Sequence, residues 1–108
     1  MNAHQEDFEG FTVTLTLLDE DHAPDWDFES PEDEAETLRK IECGVYLWFV
    51  AKVEASIDGV VLGTDYLGGC CYESVAEFIG DPYFTDMRDA AVSEARATLA
   101  RINQKVAK

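Results

Sequence analysis

The sequence predicts an α+β fold: a three-stranded antiparallel sheet with a C-terminal helix packed on one face and a long acidic insertion between strands 1 and 2. Three observations predict it. Two stretches alternate apolar and polar residues, an Asp-Gly pair separates two apolar runs, and the C-terminal third carries apolar residues at spacings of three and four.

Residues 11–18 read Phe-Thr-Val-Thr-Leu-Thr-Leu-Leu, which puts Phe11, Val13, Leu15 and Leu17 on one face and Thr12, Thr14 and Thr16 on the other. That is a half-buried strand. From Val45 to Ile57 the same alternation assigns Val45, Leu47, Phe49, Ala51, Val53, Ala55 and Ile57 to the core face. Asp58-Gly59 then marks a type I′ turn, in which both central residues need positive φ. A two-residue turn pairs Ile57 with Val60, Ala55 with Leu62, Val53 with Thr64 and Lys52 with Asp65, a register that sets opposite charges across the ladder. Further on, Gly68-Gly69 breaks or bulges the third strand, and Ser74-Val75-Ala76-Glu77 has the form of a capping box for a short helix ending at Gly80. Asp81-Pro82 starts the long helix, whose stripe is Phe84, Met87, Ala91, Ala95, Leu99, Ile102 and Val106.

The chain divides into an acidic tail over residues 1–10, an acidic insertion over 19–44, and a hairpin with C-terminal helices over 45–106, all within one domain of 108 residues. Within the insertion, Ser30-Pro31 is an N-cap and first-position pair followed by acids, with Arg39 and Lys40 at the far end, so residues 31–41 read as a short helix or as a solvated acidic loop.

Charge is placed unevenly. The formal net charge is −15, and residues 1–38 hold 13 of the 23 acids and none of the 8 basic residues. Such a chain does not bind nucleic acid or anionic membrane directly, because both require Lys and Arg to meet phosphate. No apolar run reaches the ~20 residues of a membrane span, and a soluble protein of the cytoplasm is expected. The three cysteines, Cys43, Cys70 and Cys71, read as reduced thiols, with one of the adjacent pair in the core and the other near the surface.

Catalysis finds little footing: His4 and His22 sit beside acids in stretches that read as exposed, and no nucleophile stands near an oriented base. No enzyme activity, cofactor or metal is expected. Asp25, Asp27, Glu29, Asp33 and Glu36 do fall at positions one, three, five, nine and twelve of an EF-hand-like loop, which makes a calcium-binding domain an alternative. Against it, Ser30 stands where the loop needs Gly, and no amphipathic helix precedes Asp25.

Binding is the stronger theme. The candidate partner-binding residues are Asp19, Glu20, Asp21, Asp25, Asp27, Glu29, Glu32, Asp33, Glu34 and Glu36, with Trp26 and Phe28 as aromatic anchors among them. Both rings can instead fold back onto the Tyr46 and Trp48 face, and the two roles are compatible. Glu6, Asp7 and Glu9, folded alongside, would enlarge the acidic field.

The run Val45-Tyr46-Leu47-Trp48-Phe49-Val50-Ala51, Asp58-Gly59, Leu67-Gly68-Gly69 and Tyr72-Glu73-Ser74, and then the helix with Ala90, Glu94-Ala95-Arg96 and Leu99, resembles small phage- and plasmid-borne proteins. The likeness covers a little over half the chain and rests on structural punctuation, so it implies a mobile-element origin. The strand-strand-helix layout and the acidity are also similar to those of anti-CRISPR proteins that inhibit type I effector complexes. Together these imply an inhibitor in a bacterial host cell that meets the basic, nucleic-acid-binding surface of a complex such as a CRISPR-Cas effector through a DNA-mimicking acidic surface. The alternative is a homodimeric interaction module that pairs through Thr12, Thr14, Thr16, Tyr46 and Trp48.

Overall fold

The computed structural model describes residues 2–20 and 31–106. Its elements in chain order are β1 (Asn2–Phe8), β2 (Phe11–Asp19), α1 (Pro31–Glu42), β3 (Leu47–Ile57), β4 (Val60–Tyr72), α2 (Val75–Ile79) and α3 (Pro82–Val106). The strands form one antiparallel sheet in the order β1-β2-β3-β4, and α3 lies across the β3–β4 half of one face. The α+β class and the C-terminal helix are as expected, but the sheet has four strands, not three.

The added strand is the stretch expected as an acidic tail. Glu9 and Gly10 both take positive φ, 52° and 89°, the turn geometry found again at Asp58 and Gly59 with 51° and 82°. The first turn folds Asn2–Phe8 back along β2, with Phe8 opposite Phe11 and Glu6 opposite Val13. Alternation hid this strand because its core-side positions, His4, Glu6 and Phe8, are mostly polar. They lie at the sheet edge and find polar partners on α3: Arg88 Nη1 is 3.8 Å from Glu6 Oε2, its guanidinium stacks 3.8 Å from the Phe8 ring centre, and Arg96 pairs with Glu9. His4 is likewise half-buried, 3.3 Å from Glu6 Oε1 and edge-on to Phe84, instead of solvated as expected.

The core follows the predicted faces of β2 and β3: Phe11, Val13, Leu15, Phe49, Ala51, Val53 and Ala55 are all buried. The strand begins at Leu47, not Val45, because the Val45 and Tyr46 amides both donate to the Lys40 carbonyl and close the end of α1. Helix α1 forms over nearly the expected span, with three acids in its first turn and Arg39 and Lys40 in its last, the arrangement its dipole favours. It buries no residue.

The β3–β4 register departs from expectation one step beyond the turn. Ile57 pairs with Val60 as expected, but Ala55 then faces Gly63, Glu54 faces Thr64 and Lys52 faces Tyr66, so an extra β4 residue is accommodated near Leu62. Lys52 takes Glu54 as its ion partner at 3.3 Å, and Asp65 lies opposite Val53. The slip brings Gly63 to the core face directly under α3. A Cβ there would stand 2.0 Å from the Ala91 carbonyl oxygen and 2.7 Å from the Ala95 amide nitrogen. No side chain fits; the helix backbone rests on the strand backbone. A second bulge at Gly68-Gly69, anticipated from the sequence, leaves two β4 residues without partners between the Phe49–Cys70 and Ala51–Leu67 pairs.

The N-cap half of the predicted capping box is in place: the Glu77 amide donates to Ser74 Oγ at 3.1 Å, and α2 ends at Gly80. The Tyr83 amide donates to Asp81 Oδ1 at 3.0 Å and caps α3. Phe84, Met87, Ala91 and Ala95 are buried as the stripe predicts, and Val92 joins them because the helix sits so low on the sheet. Leu99 is half-buried and Ile102 is 44% exposed, so the predicted stripe outruns the surface that can cover it.

Gly63→Ala is expected to cost about 3 kcal/mol, because the clash is with helix backbone that cannot swing aside. Gly68→Ala, whose added Cβ meets only the Glu20 carboxylate at 3.3 Å, is expected to cost under about 1 kcal/mol. Urea unfolding of the two variants checks the difference.

Candidate interaction site

At the end of the sheet where β3 starts and β4 finishes, residues of α1, β4, α2 and α3 line a cleft of about 610 Å³. Thr37 of α1 and Tyr46 form one wall, the β4 segment from Leu67 to Tyr72 forms the base, and Glu73, Glu77 and Tyr83 close the far side. The volume lies in the ~300–1,000 Å³ range of small-ligand sites.

The base is stiff. Phe78, the one buried residue of α2, meets Tyr72 edge-on at 4.9 Å, Phe49 at 5.5 Å and Phe84 at 6.1 Å between ring centres. This aromatic packing ties the sheet end to α2 and to the start of α3. The Gly68-Gly69 bulge adds no side-chain bulk to the lining, and its backbone is tethered: the Gly69 amide donates to Glu20 Oε2 at 2.8 Å. Gly69 adopts φ +66° beside the Trp48 ring.

Chemistry on the lining is that of protonated, neutral groups beside carboxylates. Burial pushes the Tyr72 hydroxyl up to about 12, and the neighbouring Asp81 carboxylate adds to the effect by repelling a phenolate and hydrogen-bonding the phenol. Burial also raises the Cys71 thiol, with Glu77 repelling a thiolate, and raises Cys70, whose Sγ donates to the Leu67 carbonyl at 3.3 Å. Neither cysteine is set up as a nucleophile, which needs the opposite shift. As expected, one of the pair is in the core and the other is half-buried.

Beyond the cleft wall, α1 presents acids. Glu32, Asp33, Glu34 and Glu36 are all exposed, and Asp19 is exposed at the end of β2. Lys40 bonds across to Glu36 at 3.4 Å and lies 5.3 Å from the Tyr46 ring centre, and the Tyr46 hydroxyl and the Glu36 carboxylate together raise its pKa. Of the predicted partner-binding residues, Glu20 differs from the others in holding the bulge. Asp21, Asp25, Trp26, Asp27, Phe28 and Glu29 lie outside the described residues. So do three of the five residues of the EF-hand-like spacing; the other two, Asp33 and Glu36, are on α1. Among the described residues, no three acidic, His or Cys side chains gather to hold a metal ion.

Glu6 and Glu9 do not enlarge this acidic surface. They are paired with α3 arginines, and the Glu9-Gly10 turn is at the opposite end of the sheet from α1. The threonines of β2 do share one face with Trp48, as expected, through their pairing with Ser56, Glu54 and Lys52. Tyr46 instead belongs to the cleft. Among the described residues, no helix is long and apolar enough to cross a membrane.

Sequence reasoning missed the cleft residues Tyr72, Glu73, Glu77 and Tyr83. The Tyr72-Glu73-Ser74 motif was visible, but only the fold brings Tyr46 and Thr37, more than 20 positions away, against it. Comparison with known protein families, curated proteins and solved structures finds no match to this chain.

The raised Tyr72 hydroxyl gives a signed pH dependence. In the unfolded chain it ionises near 10.0 and in the folded protein near 12, so its contribution to stability is intact below pH 10 and is lost as pH climbs toward 12. Alkaline unfolding of wild type against Tyr72→Phe is expected to show a shallower decline for the variant across that window.

Proposed function

We propose that the protein is a non-enzymatic inhibitor from a phage or other mobile element that occupies the basic, nucleic-acid-binding surface of a protein complex, a CRISPR-Cas effector being the class suggested by the strand-strand-helix layout and the acidity. The observation that carries this reading is α1, a helix that buries nothing and holds Glu32, Asp33, Glu34 and Glu36 exposed beside a rigid sheet end. At 1.5 Å per residue, residues 32 to 36 rise about 6 Å along the helix axis, so those four carboxylates are spaced ~2 Å apart on average, against one charge per ~1.7 Å in duplex DNA. A groove that holds nucleic acid by its charge therefore meets a comparable field here. Acids in a first turn also stabilise their own helix through its dipole, and Glu36, beyond that turn, is the i,i+4 ion partner of Lys40.

Such a surface steers encounter electrostatically, so binding weakens as salt rises. Capture from a bacterial lysate, with wild type compared against the variant Glu32→Gln, Asp33→Asn, Glu34→Gln and Glu36→Gln, is expected to retain a nucleic-acid-binding protein on wild type only. Duplex DNA and added salt should both release it. A partner held equally by the variant, or indifferent to salt and DNA, overturns the proposal.

A further inference from the structure

We propose that the cleft is a seat for an arginine side chain of the partner, with Tyr46, Tyr72 and Tyr83 supplying ring faces and Glu73 and Glu77 supplying carboxylates. This deepens the reading above and rests on it, since it is a basic partner that would bring the arginine.

Four observations converge on this chemistry. First, the lining of the cleft includes two glutamates and no Lys or Arg. Second, neither Glu73 nor Glu77 has an ion-pair partner among the described residues, although eight basic residues are present in the chain and Arg88, Arg96, Lys40 and Lys52 all have acidic partners. Third, Tyr46 already accepts a cation on its ring, that of Lys40 at 5.3 Å, so the wall suits positive charge. Fourth, the Gly68-Gly69 part of the lining carries no side chains and adjoins buried Cys70, which gives a flat side chain room.

Arginine fits these features better than lysine. Its planar guanidinium stacks on aromatic faces, forks onto carboxylates and gives up water more readily than an ammonium group, whose compact charge stays strongly hydrated.

The test uses the full chain, isotope-labelled for NMR, titrated with the capped peptide Gly-Arg-Gly and with the same peptide carrying citrulline or lysine. The arginine peptide is expected to shift the signals of Gly69, Tyr72, Glu73, Glu77 and Tyr83 saturably. Citrulline, isosteric but uncharged, should leave them unmoved, and lysine should bind more weakly than arginine. Glu73→Gln with Glu77→Gln is expected to weaken the arginine peptide about tenfold. Tyr83→Ala, at a residue 58% exposed and therefore safe for folding, should weaken it as well. Equal shifts from citrulline, or an unchanged affinity in both variants, overturn the seat. Arginine-peptide shifts confined to residues 32–36 also overturn it, while leaving the acidic-surface reading intact. Conversely, cleft binding that persists in a protein whose lysate partner ignores the α1 charges refutes that reading and not the seat.

Discussion

The backbone contact between β4 and α3 at Gly63 is the constraint on which the rest of the architecture depends. With Ala91 and Ala95 above it, the glycine lets a helix settle onto the sheet closer than any side chain would allow. Interiors are close-packed, so this depth sets which other residues are buried: Val92 comes into the core, and Phe84 descends far enough to meet Phe78. The extra residue near Leu62 is the means by which β4 presents glycine at that position. Had the strand followed the uninterrupted register, Leu62 would lie under the helix and lift it. The aromatic group at the sheet end, and with it the base of the cleft, follows from the same seating.

Charge is organised around that frame in two different ways. At the β1 edge, carboxylates and arginines neutralise one another: Glu6 and Glu9 hold Arg88 and Arg96, and the hairpin is fastened to α3 through them and through the Phe8 stack. The exposed Arg96–Glu9 pair contributes ~0–1 kcal/mol, whereas the Arg88–Glu6 pair is half-buried beside the Phe8 ring. At the other end, α1 and the cleft keep their negative charge facing outward, with Lys40 the cation tied to the wall. The net charge of −15 is therefore not an even coat. Part of it, on α1 and at Glu73 and Glu77, lies exposed where the sheet end offers a concave, aromatic surface, a combination of long-range steering and short-range anchoring suited to recognition of a basic partner.

Much of this was legible in the sequence, and the failures have physical causes. Periodicity found β2 and β3 because their inner faces meet a continuous core, where every second residue must be apolar. Local chemistry found the Asp58-Gly59 turn, the Gly68-Gly69 bulge and the Ser74–Glu77 cap, and gave α1 as one of two readings of residues 31–41, since each depends on a few neighbouring residues. Strand β1 escaped because an edge strand can satisfy inward Glu6 with Arg88 from a helix more than 80 residues away in the chain, and His4 with Glu6 itself. The Glu9-Gly10 pair was the available signal, equivalent to Asp58-Gly59 in its backbone geometry. The register slip escaped because a two-residue turn and matching charges argued locally for the regular ladder, whereas the deciding term, helix backbone against Gly63, is tertiary. The cleft escaped for the same reason: its walls come from segments that only the fold brings together.

The register of the β3–β4 hairpin tests the account most directly, because the seating of α3 and the form of the cleft both follow from it. Cross-strand proton contacts measured by NOE spectroscopy are expected between Ala55 and Gly63, Glu54 and Thr64, and Lys52 and Tyr66, with further contacts from Gly63 to Ala91 and Ala95. Contacts from Ala55 to Leu62 and from Val53 to Thr64, with none between Gly63 and the helix, would contradict it.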